Sequence, residues 1–181
     1  MPFVLVFFSQ FRIDAQTVNA GLDTLVCSGD TIKLGGKPVA TGSPVSFSWT
    51  SSASSNVFST DSTPDVSSNS TISYYLAVTY QSTTLYDTIK VSVVKLTANF
   101  GLSMATVCSG TQVLFYDSTK HSSANATYAW NFGIAGANSS NQSSSYTFRT
   151  NTVGSGSTSR TVTFTVSDSG CNSVFTDTVL V

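Results

Sequence analysis

The sequence predicts an all-β fold of two small β-sandwiches in tandem, and three observations carry that prediction. The first is a repeat. Val26-Cys27-Ser28-Gly29 recurs as Val107-Cys108-Ser109-Gly110, and Trp49 and Trp130 keep the same 81-residue offset as the two cysteines. Two independent landmarks in one register mark an internal duplication, with units of about 80 residues. The second is alternation. Val45, Phe47 and Trp49 are separated by Ser46 and Ser48, and Val162, Phe164 and Val166 by Thr163 and Thr165. A period of two places one face in a core and leaves the other hydroxylated, which is the pattern of a strand. The third is punctuation: short patterned runs end repeatedly at Gly, Pro, Asn and Ser, the spacing expected of sandwiches.

Composition narrows the function classes. The 181 residues carry 8 basic and 9 acidic side chains, a net charge of −1, and only 9% of residues are charged. No Lys/Arg cluster exists to meet a polyanion, so nucleic acid is excluded as a partner. Ser and Thr make up about a third of the chain, and their hydroxyls supply the solubility that Lys and Glu give most soluble proteins. They are spread through strand-patterned segments, so the chain reads as folded.

Taken in order, residues 1–16 contain the apolar run Phe3–Phe8, too short to span a bilayer. Two readings stay open. It fits a signal-peptide core, with cleavage after Gln16 or Ala20, or a hydrophobic first strand whose apolar face a neighbouring subunit's sheet would cover. Residues 17–96 form the first expected sandwich. Its strands are expected at Thr24–Cys27, Thr31–Leu34 and Val45–Thr50, more weakly at Val57-Phe58, then at Tyr74–Tyr80 and Leu85–Val94. Ser51–Asn56 is expected as a loop, with turns at Gly35–Pro38 and Gly42–Pro44. Lys95-Leu96-Thr97 joins the copies without a Gly- or Pro-rich spacer, which predicts restricted domain motion.

Residues 97–181 form the second expected sandwich. Thr111–Tyr116, Tyr128–Phe132, Tyr146–Phe148 and Val162–Val166 are its strands, Ala135–Ser145 a loop, and Gly154–Ser157 a flexible turn. Asp177–Val181 is matched with Asp87–Val91. The interval from Cys to Asp is then 60 residues in the first copy and 69 in the second, with the excess placed around 135–160. The sequence ends inside its last strand, which suggests a fragment of a longer protein or a subunit whose end is tucked in.

Tyr128-Ala129-Trp130-Asn131-Phe132-Gly133 resembles the Tyr-x-Trp-Asp-Phe-Gly-Asp-Gly motif of PKD-type (polycystic-kidney-disease) immunoglobulin-like domains. Ala20–Asp23, Cys27–Asp30, Ser48-Trp49 and Ser73–Val78 are similar to the form found in secreted proteins of Bacteroidetes-type bacteria. The resemblance covers residues 20–181. It implies two immunoglobulin-like β-sandwiches and is almost silent on function. Asn131 and Ile134 stand where that motif is acidic, so no cation site is implied there, and Arg160 is aligned with Tyr74. In such domains an early cysteine bridges one just before the last strand, which implies a Cys108–Cys171 disulfide. Cys27 is then a buried apolar side chain or an intermolecular link. Asp-Thr-apolar triplets at Thr24, Thr31, Thr88 and Thr178 resemble the O-glycosylation acceptor of exported Bacteroidetes proteins, and are equally explained by the strand preference of Thr.

Few residues suggest chemistry. His121, the one histidine, lies in the polar stretch Ser118–Asn125, and three dispersed cysteines lack metal-ligand spacing. No Gly-x-Ser-x-Gly elbow surrounds any serine. Asp61, Asp65, Asp117 and Asp168 read as turn-capping, solvated carboxylates. Trp49 and Trp130 are expected in the cores, as in immunoglobulin-like folds, and not as sugar platforms. Tyr75, Tyr80 and Tyr86 are the better candidates for a surface platform. Asn69 and Asn125 fit the N-glycan acceptor pattern, relevant only in a eukaryotic host. The expected protein is non-enzymatic, without metal or cofactor, secreted or on the cell surface, and without a membrane span. It is a rigid tandem spacer or a subunit of a surface fibre, with other subunits, neighbouring domains or surface glycans as partners. The alternative is an accessory polysaccharide-binding module of a secreted hydrolase.

Overall fold

The computed structural model of the chain describes residues 15–121, 123–150 and 156–181, and every regular element among them is a strand. The signal-peptide or first-strand segment falls on residues 1–14, outside the described residues, as does half of the expected turn at 154–157. Contacts divide the chain into two compact units. One holds Thr31–Ser92 with the residues up to Thr24, and the other holds Val93–Val181 with Leu25–Asp30. Cys27, part of the first sequence repeat, therefore belongs structurally to the second unit.

The strands up to the repeat boundary are β1 (Thr17–Val18), β2 (Thr24–Cys27), β3 (Thr31–Lys33), β4 (Ala40–Thr41), β5 (Ser46–Ser51), β6 (Ser54–Ser59), β7 (Asp65–Ser67), β8 (Ile72–Thr79) and β9 (Thr84–Val94). They form a sheet ordered β2-β9-β8-β5-β6 and two small antiparallel pairs, β1-β4 and β3-β7. Alternation decides which side chains turn inward. Trp49 faces Leu76 across β5 and β8, and Tyr74 faces Ile89 across β8 and β9. All four are buried, with Val78, Val91 and Leu34. The weak strand at Val57-Phe58 is the six-residue β6, and it takes in the end of the expected loop.

The second unit holds β10 (Phe100–Leu102), β11 (Gln112–Asp117), β12 (Thr127–Asn131), β13 (Asn138–Ser139), β14 (Ser144–Thr147), β15 (Ser159–Asp168) and β16 (Cys171–Leu180). Its sheets run β10-β11-β14 and β13-β12-β15-β16. Their facing rings make the core. Phe100 and Phe115 from one sheet reach Trp130 from the other at ring-centre distances of 5.0 and 5.6 Å, and Trp130 stacks on Phe164 at 3.9 Å. Pairs in this range add stability beyond the area they bury. The expected loop Ala135–Ser145 contains β13 and the start of β14.

Each indole closes its unit in the same way. Trp49 Nε1–H donates to the carbonyl of Asp61 at 3.0 Å, and Trp130 Nε1–H donates to the carbonyl of Asn141 at 2.8 Å. A buried donor left without a partner costs about 1–3 kcal/mol, so this bond fixes where the following loop crosses the core.

Strand register corrects two sequence alignments. Trp49 pairs with Leu76 and Trp130 with Phe164, so Val162, not Arg160, stands where Tyr74 sits. Leu76 faces Asp87 while Phe164 faces Phe175, which puts Asp177 at the place of Ile89, two residues out of step with the motif match. The two sites share a face of the pleat, which is why the motif slid without breaking the alternation. From the tryptophan to its partner is 27 residues in one copy and 34 in the other, so the insertion is seven residues, and the slip accounts for the other two.

The expected Cys108–Cys171 disulfide is replaced by Cys27–Cys171, with S–S 2.07 Å and Cα–Cα 5.6 Å, and Cys108 is an exposed free thiol. The reason is strand direction. Val107 N–H donates to the carbonyl of Leu180, at the far end of the ten-residue β16 from Cys171. That separates the two cysteines by roughly 30 Å of extended chain, far beyond the ~7 Å that a disulfide tolerates between Cα atoms. Cys27 is neither a lone buried side chain nor free to link another molecule.

Asp168 was expected to be solvated and is instead the one buried charged residue among the described residues. Its carboxylate accepts from the N–H and the hydroxyl of Ser123 and from the hydroxyl of Ser169, tying the loop beside His121 to the β15–β16 turn. The Ser123 N–H, then the two hydroxyls, hold its pKa below the ordinary 3.8. A carboxylate depressed on folding contributes stability that is complete above its unfolded pKa and is lost as pH falls through the lower folded value. Asp168→Asn should therefore be less stable than the parent at neutral pH and lose less on acidification below pH ~4, as read by urea midpoints across a pH series.

Candidate functional site

A groove of about 630 Å³ lies in the second unit beside the edges of both sheets. The seven-residue excess lies elsewhere, after β14, because the interval from the tryptophan to the carbonyl its indole bonds is 12 residues in the first copy and 11 in the second. Where the first unit runs the six-residue β6 along β5, the second pairs only two residues, Trp130 with Ser139 and Asn131 with Asn138. The chain can leave β12 this sharply because of a local turn. Asn131 Oδ1 accepts from Gly133 N–H at 2.8 Å, and Gly133 takes a φ of +73°. A side chain at 133 would run into the carbonyl oxygen of Thr161. Asn131 thus caps this turn with an uncharged amide.

The groove floor is aromatic. Phe132 and Phe115 are buried beneath it, and the half-buried Tyr146 stacks on Phe132 at 4.9 Å with planes 11° apart. Tyr116, 50% exposed, and Leu114 form the apolar wall. The rim is amide and hydroxyl. Ser139, Ser143 and Ser145 accept from Asn141 N–H, Asp117 N–H and Gln112 Nε2, which leaves their own O–H groups to donate. Among the described residues, the side chains of Asn138, Asn141 and Ser144 make no hydrogen bond. No Asp, Glu, Lys, Arg or His among the described residues lines the groove.

A second concavity, about 280 Å³, lies in the first unit beside Tyr80. That ring is buried and its hydroxyl donates to the carbonyl of Thr17 at 2.6 Å, so Tyr80 is a structural residue and not a surface platform. Tyr75 and Tyr86 are exposed on the outer face of the five-stranded sheet, Tyr86 by 74%. Neither ring lines either of the two grooves. Trp49 and Trp130 lie fully inside.

The Asp-Thr triplets have a structural use. Asp23, Asp30 and Asp87 accept from the N–H groups of Lys90, Cys27 and Ala20, and Asp177 accepts from Thr178 N–H. Thr31, Thr88 and Thr178 are exposed and Thr24 is half-buried. His121 sits in the exposed loop with a φ of +66°. No group of three or more His, Cys, Asp or Glu side chains that could hold a metal occurs among the described residues, and no helix there is long and apolar enough to cross a membrane. Sequence reasoning missed the groove because its residues read as an undifferentiated Ser/Asn loop. Tyr146 and Phe148 directly after that loop were the available signal.

The N-terminal eight immunoglobulin domains of Down syndrome cell adhesion molecule, isoform 1.30.30, superpose on this chain with a TM-score of 0.61 at 12% identity, over 93% of this chain and 27% of that one. The fold is immunoglobulin-like. Extracellular domains 3–5 of Drosophila OTK follow at a TM-score of 0.46, 11% identity, 88% and 58% coverage. The three N-terminal domains of the bacteriophage RB49 highly immunogenic outer capsid protein give 0.47, 12%, 91% and 67%. The immunoglobulin-like chain spans about a quarter of the first of these structures. At such identities the likeness is one of fold. No protein-family model and no curated protein sequence matches the chain.

Proposed function

We propose that these tandem immunoglobulin-like domains are a non-enzymatic, exported structural or adhesive module of PKD type, serving as a subunit of a cell-surface fibre or a spacer within a longer surface protein. The Cys27–Cys171 disulfide carries the reading. Structural disulfides persist in oxidising compartments and are rare where thiols are kept reduced. The hydroxyl-rich, charge-poor surface supports it. So does the use of polar groups: the four Asp of the Asp-Thr triplets, Asp168 and both indoles are engaged in holding backbone and loops. The Trp130–Gly133 turn supports the PKD assignment. Thr31, Thr88 and Thr178, exposed beside those Asp, are the acceptors we assign for O-glycans. The partners are further subunits or neighbouring domains.

Immunogold labelling and protease shaving of intact source cells test this. Label on extracellular material, removed by the protease, is the expected result. A protease-protected cytosolic pool would contradict it.

A further inference from the structure

We propose that the groove between β11, β13 and β14 of the second unit binds a neutral glycan chain. This gives the adhesive part of the reading above a ligand class, and it rests on that reading only for access to extracellular glycans.

The chemistry of the lining selects the ligand. Among the described residues no charged side chain lines the wall, so neither an anion nor a cation meets a counter-charge there. Recognition is left to aromatic faces and to neutral donors and acceptors. A pyranose ring has that same double character: an apolar face of C–H groups and an equatorial fringe of hydroxyls. Tyr116 offers an exposed ring on the outer face of its sheet, and Tyr146, in register with the buried Val113 on the inner face, reaches the groove half-buried and held by its stack on Phe132. Tyrosine is suited to such contacts because it brings a large, rigid, amphipathic surface at low entropic cost. Around them, Asn138, Asn141 and Ser144 leave their side chains uncommitted, and the hydroxyls of Ser139 and Ser143 have donors to spare. A few polar groups that fix orientation above an apolar floor are the usual make-up of a ligand site. The volume, about 630 Å³, falls within the usual range of small-ligand sites.

The site is also built to keep its shape. Asn141 is anchored through its carbonyl to the Trp130 indole, and Gln142 Nε2 donates to Asp117 at 2.9 Å. A preformed site avoids the entropic cost of ordering a loop on binding. An extended peptide is the weaker occupant. The edge strands it would pair with are two residues (β13) and four residues (β14) long, too short to template a strand of ordinary length.

The link between Asn141 and Trp130 supplies a readout, because a ligand on Asn141 perturbs the indole that its backbone holds. The purified, oxidised chain is titrated with cellohexaose, xylohexaose, mannohexaose and chitohexaose, with heparin and an unstructured peptide as comparators. Binding is followed by indole fluorescence and by affinity electrophoresis. At least one neutral hexaose should bind with a Kd below about 1 mM. Tyr116→Ala and Asn138→Ala should each weaken it by about tenfold or more with an unchanged Tm, because both side chains are exposed. Tyr86→Ala, on the other unit's sheet face, should leave it unchanged. Binding of none of the four hexaoses would overturn the proposal. So would binding that Tyr86→Ala abolishes and Tyr116→Ala spares, or binding of heparin or the peptide alone. Any of these failures leaves the cell-surface reading to its own labelling test.

Discussion

Trp130→Ala is expected to cost the second unit about 3–5 kcal/mol, the range for truncating a large buried aromatic. The residue is 2% exposed and its ring meets Phe100, Phe115, Phe132 and Phe164, drawn from both sheets. Alanine leaves those four rings facing a void that the stiff strands cannot collapse into, so the loss exceeds the transfer term alone. It also removes the donor that pins the Asn141 carbonyl, so the groove should lose its form together with the core. A domain of this size is stable by only about 5–15 kcal/mol, and the change would use much of that. Urea unfolding followed by near-ultraviolet circular dichroism reads the effect. Trp130→Phe, which refills most of the space and lacks the N–H, should recover part of the loss.

The second large effect is expected from the disulfide. Cys27 and Cys171 lie 144 residues apart. On the chain-entropy model, closing a loop of that size raises the free energy of the unfolded chain by about 5 kcal/mol. The Cys27→Ser, Cys171→Ser double variant should lose up to that amount, and dithiothreitol should lower the Tm of the parent and leave the double variant unmoved. Cys108→Ser is the control: an exposed thiol outside any bond should be replaceable within ~0.5 kcal/mol. A parent whose Tm ignores reductant while Cys108→Ser is destabilised would mean that the bond lies elsewhere.

Much of the fold was legible because it depends on periodicity. Val45, Phe47 and Trp49, and Val162, Phe164 and Val166, declare their inward face in one dimension. The duplicated Cys/Trp interval then yields the tandem arrangement. What escaped the sequence depends on neighbours in space. A two-residue slip keeps every side chain on its own face, so composition could not separate Asp177 at the place of Asp87 from Asp177 at the place of Ile89. The cysteine pairing followed family expectation within one repeat, and only strand direction shows that Cys108 borders the wrong end of β16. Asp168 read as a solvated turn residue because its partner, Ser123, is 45 residues away. The groove was hidden for a related reason. Its floor comes from β11, β14 and Phe132 just past β12, and its rim comes from a stretch whose Ser and Asn resemble every other loop in a chain rich in both.

The account turns on a chain that is folded and oxidised outside the reducing interior, with Cys27 joined to Cys171. Protein taken from its source without reductant, alkylated at once and digested, tests this directly by mass spectrometry of the three cysteine peptides. The predicted result is one cross-linked pair carrying Cys27 and Cys171, with alkylation confined to Cys108. Alkylation of all three cysteines, or a cross-link that includes Cys108, would contradict it.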